Sequence, residues 1–174
     1  MIVCAGKSES FEFATSIGIG LVDVAINLTK ICIKERPTSI TFIGSAGSYG
    51  RLKIFDIVES FCAYNIENSF FSLNSYSPIE SSIKGLYRVS CETFVNSSNY
   101  ITTDKNISKR YLLKNIDIEN MEFYSILKVA NEFNIPAKGI FIITNYCNNN
   151  AHRDFLKNHK RAMELLVNYI ERKS

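Results

Sequence analysis

Two short stretches hold the side chains best suited to chemistry. Met121-Glu122 sets a thioether and a carboxylate at the start of a helical stretch, and Phe141-Ile142-Ile143-Thr144-Asn145 runs from apolar residues into an amide. In open α/β sheets, ligands bind beyond the carboxyl ends of strands, where Asn145 is expected to lie. A carboxylate can accept from two vicinal hydroxyls, and an amide can both donate to and accept from a flat heterocycle. The pair therefore points to a site for a sugar-linked purine.

Four other stretches could contribute. Ile43-Gly44-Ser45-Ala46-Gly47 takes a strand into small residues. Backbone amides there can be approached closely by an anion or a sugar oxygen, or the glycines simply relieve crowding at a strand exit. The stretch is neither a Walker loop nor a dinucleotide fingerprint, because the lysine and the third glycine are missing. Cys4-Ala5-Gly6-Lys7 places a cation directly after a glycine turn, which suits a phosphate dianion or an ordinary solvated lysine. Ile17-Gly18-Ile19-Gly20 precedes a helix, whose N-terminus favours an anion. Thr93-Phe94-Val95 closes an alternating stretch, so the Phe94 ring could stack on a base or fill the core.

These residues need elements to hold them. The pattern predicts strands over 1–6, 40–43, 54–63, 86–94, 116–118 and 137–143, with Gly44–Gly47 following the second of these. Helices are expected over 21–33, 108–113, 119–133 and 151–172, the third ending at Ile135-Pro136. In the last helix Phe155, His159, Ala162, Leu166 and Tyr169 share one stripe. Residues 65–84 are rich in Ser and Asn and hold either an edge strand or an irregular excursion, and 96–106 reads as a loop. Strands and helices alternate, which argues for α/β architecture in one domain over 1–174.

The bulk numbers exclude several classes. A net charge of +3, with Lys157, Lys160 and Arg161 on the wet face of a helix, gives no footprint for nucleic acid. No apolar run reaches membrane-spanning length, and no secretory signal is evident. The five cysteines, Cys4, Cys32, Cys62, Cys91 and Cys147, are odd in number and lack C-x-x-C spacing. They read as reduced core thiols of a cytoplasmic protein. With only His152 and His159, no zinc set and no Cys–His pair can be drawn, so no metal is expected.

In order and spacing, Gly44-Ser45-Ala46-Gly47, Phe94, Met121-Glu122 and Thr144-Asn145 resemble the nucleoside phosphorylase superfamily, which holds purine nucleoside phosphorylases and methylthioadenosine/S-adenosylhomocysteine nucleosidases. The resemblance runs from Met1 to about Phe155, and Asn134-Ile135-Pro136 also fits it. It implies a three-layer fold with a central mixed, mostly parallel sheet, and a homo-oligomer (a dimer or a hexamer of dimers). It also implies a site in which Ser45 meets phosphate or ribose, Ala46 and Gly47 border the base, and Phe94 stacks on it beside Thr93 and Val95. Met121 would pack on the sugar, Glu122 would bind its hydroxyls, and Asn145 would face N7 and the six-position. Gly6 and Lys7 would join Ser45 at phosphate.

Three departures bear on chemistry. Phe42 stands where many phosphorylases carry an arginine, Asn120 where nucleosidases carry a second glutamate, and Asn145 where enzymes of 6-aminopurines carry an aspartate. The leading expectation is phosphorolysis of a 6-oxopurine nucleoside, with inorganic phosphate as co-substrate and no cofactor; Glu122 and Asn145 are its key residues. The alternative is hydrolysis by water, with Glu9 or Glu12 as base. A third is a nucleoside-binding scaffold without turnover.

Overall fold

In the computed structural model, which describes residues 1–87 and 89–173, a nine-stranded sheet carries helices on both faces. The strands are β1 (Ile2–Cys4), β2 (Thr15–Ser16), β3 (Ile40–Ser48), β4 (Ile57–Ser60), β5 (Cys62–Tyr64), β6 (Ser82–Lys84), β7 (Phe94–Ser97), β8 (Ile118–Asn120) and β9 (Ala137–Tyr146). The helices are α1 (Leu21–Glu35), α2 (Lys105–Leu113), α3 (Phe123–Glu132) and α4 (Ala151–Lys173), with a 3-10 turn at Asn68–Ser72.

Side-chain alternation along the two central strands builds both cores. Phe42 of β3 and Phe141 and Ile143 of β9 join Val24 and Leu28 of α1 and Phe123, Ile126 and Leu127 of α3. Ile43 of β3 and Ile140 and Ile142 of β9 turn the other way, against Ala162, Leu166 and Ile170 of α4. Burial on both faces explains why 139–143 is a continuous apolar run instead of an alternating one. Gly139 is required there: a Cβ would lie 2.4 Å from the Phe141 ring and 2.8 Å from that of Phe123.

The sheet forks along β3. Strand β9 pairs with β3 in parallel over its whole length, from Ile40 to Ser48. On the opposite side, β1 pairs in parallel with Thr41 and Phe42, while β8 pairs antiparallel with Gly47 and Ser48. Between them, residues 44–46 have no strand neighbour on that side. Backbone groups left open at such a gap need partners from side chains or a ligand.

Several expectations change. Gly44–Gly47 lies inside β3, held there by β9, with a register shift between Ala46 and Gly47. The stretch 54–63 is two strands, β4 on β9 and β5 on β7. The strand expected over 86–94 does not form among its described residues (Arg88 lies outside them), and Phe94 begins β7 instead of ending a strand. Asn96 and Ser97, expected in a loop, complete β7. Glu119 and Asn120, expected in a helix, belong to β8, and α3 starts at Phe123. The cysteines are not all free: Cys62 is joined to Cys91, whereas Cys4, Cys32 and Cys147 are buried thiols. No helix among the described residues is long and apolar enough to cross a membrane.

Candidate active site

A cavity of about 300 Å³ opens at the fork, over the carboxyl ends of β1, β3, β8 and β9. Ser45 is where the gap is felt. Its N–H donates to Glu9 Oε2 (3.1 Å), and its hydroxyl donates to Glu9 Oε1. Its carbonyl accepts from Asn120 Nδ2 at 3.3 Å. Glu9 is delivered by a tight turn after β1, closed by the Glu9 N–H donating to the Gly6 carbonyl (3.0 Å). Gly6 (φ 95°) and Lys7 (φ 54°) both take left-handed backbone in this turn. Gly44 leaves room for the carboxylate, since a Cβ there would sit 2.8 Å from Glu9 Oε2.

Glu122 closes another wall and is buried. Its Oε1 accepts from the Gly20 N–H (3.1 Å), and its Oε2 from Asn120 Nδ2 (2.7 Å) and the Met121 N–H (3.1 Å). Asn120 turns its Oδ1 to the N–H groups of Glu122 and Phe123 (2.8 and 2.9 Å), so one amide both starts α3 and fixes the carboxylate. Burial raises the Glu122 carboxyl to about 7; the Gly20 N–H works against that rise, and the negative charge of Glu9 adds to it. The Gly20 contact requires the glycine-rich entry to α1: Gly20 has φ 82°, and a Cβ there would lie 2.9 Å from Asn99 Oδ1.

Asn145 is buried at the end of β9. Its Oδ1 accepts from Thr144 Oγ1 (2.9 Å), and one N–H of Nδ2 reaches the Tyr146 carbonyl at 3.3 Å. The amide carries a second N–H for the cavity. Ala46, Gly47 and Met121 line the same space, as do Ile19, Tyr100, Ile101, His152 and Phe155. Glu119 lines it as well, a third carboxylate and a buried one. No lysine or arginine appears among the described lining residues.

Of the residues expected from sequence, Gly6, Ser45, Ala46, Gly47, Met121, Glu122 and Asn145 meet in this cavity. Lys7 is exposed and outside the lining, and both donors of Ser45 are taken by Glu9. Thr93, Phe94 and Val95 are outside it too. Because Phe94 starts β7, its ring packs beside Tyr64 (5.8 Å between centroids) at the far end of the strand, and Val95 is in the core. The carboxyl end of β7 leads instead to Tyr100 and Ile101, which take the cavity wall. The spacing from Phe94 to the polar loop held that signal: a mean strand length carries the chain past Ser97. Phe42 is buried among Phe123 and Phe141 and does not reach the site. Glu9, expected only for the hydrolytic alternative, is central, whereas Glu119 was hidden by the helical reading of its stretch.

The fold is shared with known proteins. No curated protein matches the chain. Among solved structures, a futalosine hydrolase mutant from Helicobacter pylori strain 26695 superposes with a TM-score of 0.81 at 15% identity, covering 98% of this chain and 95% of its own. A mutant of the Helicobacter pylori nucleosidase MTAN with 5′-methylthioadenosine in the active site gives 0.77 at 17% identity, covering 91% and 77%. A Borrelia burgdorferi protein described as a putative 5′-methylthioadenosine/S-adenosylhomocysteine nucleosidase, bound to adenine, gives 0.71 at 23%, covering 90% and 77%. The family model described as Phosphorylase superfamily matches residues 82–172, more than half of the sequence, and the chain belongs to that superfamily.

Proposed function

We propose that the protein is a purine nucleosidase that uses water to cleave the N-glycosidic bond. The observation that carries this reading is Glu9 on Ser45. Its carboxylate takes both donors a phosphate would need, in a cavity whose described lining has three glutamates and neither lysine nor arginine. A dianion in that setting would meet like charge on several sides. A water beside Glu9 would instead find a base already oriented by two hydrogen bonds. The likeness to a hydrolase over nearly the whole of both chains supports the same choice.

In this mechanism Glu122 accepts from the ribose hydroxyls, and Met121 packs on the sugar. The C1′–N9 bond lengthens as positive charge builds on the sugar ring, and Glu9 takes a proton from the attacking water. The bonding electrons pass to the purine, where an Asn145 N–H at N7 or O6 stabilises the departing anion. The base then gains a proton from solvent. Asn145 cannot deliver a proton as a carboxylic acid would, which favours a 6-oxopurine, a better anion than adenine. A homo-oligomer belongs to the same proposal. Val22, Ile26 and Ile33 expose apolar surface along α1, the helix whose first residues close the cavity.

The test is base release from inosine, 5′-methylthioadenosine and futalosine in phosphate-free buffer. Release of free base from at least one of them supports hydrolysis. Release that begins only when phosphate is added, with a saturable dependence on it, supports phosphorolysis.

A further inference from the structure

Asn120 spans the gap in the sheet with its side chain. Strand β8 pairs with Gly47 and Ser48 of β3 and ends at Asn120. The main chain then turns into α3, and the Asn120 amide reaches β3 in its place. Its Nδ2 donates to the Ser45 carbonyl (3.3 Å) and to Glu122 Oε2 (2.7 Å). Its Oδ1 accepts from the N–H groups of Glu122 (2.8 Å) and Phe123 (2.9 Å). A side-chain amide has about four hydrogen-bonding positions, and here each has a protein partner in a buried setting.

The partners run on in both directions. Ser45 gives its N–H and its hydroxyl to Glu9, and Glu122 takes the Gly20 N–H. An unbroken series of hydrogen bonds therefore leads from Glu9 through Ser45 and Asn120 to Glu122. Both ends of the series are carboxylates, which repel each other at short range. Between them stands a neutral amide that donates to one carboxylate and braces the residue that orients the other. The other titratable groups lining the cavity are Glu119 of β8, Tyr100 after β7 and His152 of α4. Asp23 stands in the first turn of α1, and Tyr124 follows Phe123 in α3.

We propose that Asn120 is a positioning residue, which ties the water-activating carboxylate of Glu9 to the ribose-binding carboxylate of Glu122 and fixes their spacing. The inference rests on the nucleosidase reading and adds a residue to it. Water and sugar are then held in one geometry, and a displacement of about 1 Å in such a geometry is costly to the rate. The neutral charge is essential. An aspartate at this position would turn an oxygen, in place of an N–H, toward Glu122 Oε2. A serine would have no second arm for Ser45 and Glu122.

Asn120→Asp and Asn120→Ser separate this role from support of α3, since both keep a side-chain oxygen for the N–H groups where the helix begins. The glutamate carboxyls are labelled with carbon-13 and titrated by NMR in the wild type, both variants and Glu122→Gln, whose missing signal assigns Glu122. The wild-type midpoint is expected near 7, and that of Asn120→Asp at least about one pH unit higher. Purine release from inosine and 5′-methylthioadenosine is followed in phosphate-free buffer. In both variants kcat is expected to fall roughly 10- to 100-fold, and in Asn120→Asp the pH limb of kcat/KM should move with the carboxyl. In a Glu9→Gln background, Asn120→Ser should cost less than about threefold more, because the carboxylate it positions is already gone. If Asn120→Asp fails to fold, Asn120→Ser decides by its kcat. An unmoved Glu122 midpoint in folded Asn120→Asp, or wild-type kcat in either folded variant, overturns the proposal and leaves the nucleosidase reading standing. A wild type that releases no base without phosphate ends that reading and the role of Asn120 with it.

Discussion

Glu9 and Glu122 are both carboxylates in one cavity, yet their surroundings set them to different work. Glu9 is half-buried, on a turn, and its oxygens meet Ser45. Glu9→Gln keeps the shape and removes the base, so kcat is expected to fall by about 10²–10⁴-fold with KM and melting temperature little changed; a kcat within threefold of wild type contradicts the role. Glu122 has three donors on its oxygens but is deeply buried, and its carboxyl rises to about 7. The ionised form is the better acceptor for sugar hydroxyls, so kcat/KM is expected to climb as pH passes about 7. Glu122→Gln should lower activity and abolish that limb. Stability runs the other way. Because the folded pKa stands above the ordinary 4.5, the contribution is complete below that value and disappears as pH rises through about 7. The loss is on the order of 3 kcal/mol, read as a falling melting temperature between pH 5 and 8 that Glu122→Gln flattens. Burial raises the Glu119 carboxyl too, with the same sign.

At the scale of elements, the fork along β3 and the entry to α1 do the positioning. Gly20→Ala would force an alanine into left-handed backbone and press its Cβ on Asn99 Oδ1. A loss of roughly 1–3 kcal/mol is expected, together with a raised KM, since the Gly20 N–H is one of the donors on Glu122. A variant with wild-type KM would show that this contact is not used. Gly139→Ala, which drives a Cβ into Phe141 and Phe123, should destabilise by about 1–3 kcal/mol and leave KM alone in the protein that stays folded. The two glycines separate a site effect from a core effect. The elements themselves were partly legible in sequence. The apolar run 139–143 and the stripe along α4 show their period plainly. The end of β3 did not: Gly44–Gly47 has strand-poor residues, and pairing with β9, joined by β8 at Gly47, keeps it extended. Glu119-Asn120 reads as the start of a helix because the Asn120 side chain accepts from the N–H groups of Glu122 and Phe123 where α3 begins, and β8 is only three residues long.

For the molecule as a whole, what sequence could carry was the set of residues at or near the carboxyl ends of strands, because in α/β folds that end of the sheet is functional whatever the details. Gly6, Ser45, Gly47, Glu122 and Asn145 converge although up to 139 positions separate them in the chain. Phe94 failed for a reason of register alone. A strand beginning where one was expected to end reverses which of its residues reach the cavity, and Tyr100 and Ile101 take the wall instead. Glu9 escaped emphasis because a turn residue has no period to betray it. The exposed Val22, Ile26 and Ile33 belong to this scale. Light scattering should give at least twice the 19.8 kDa chain mass, and Ile26→Glu should lower it; a monomer in the wild type would contradict the proposed oligomer.

Whether water attacks in a cavity where Glu9 holds the place of phosphate is decided by the sugar that leaves. Inosine is incubated with the protein in excess inorganic phosphate, and the product is identified by mass spectrometry and phosphorus NMR. Free ribose and no ribose 1-phosphate are expected, with the reaction nearly lost in Glu9→Gln. Ribose 1-phosphate as the main product, formed at an undiminished rate by that variant, would contradict it.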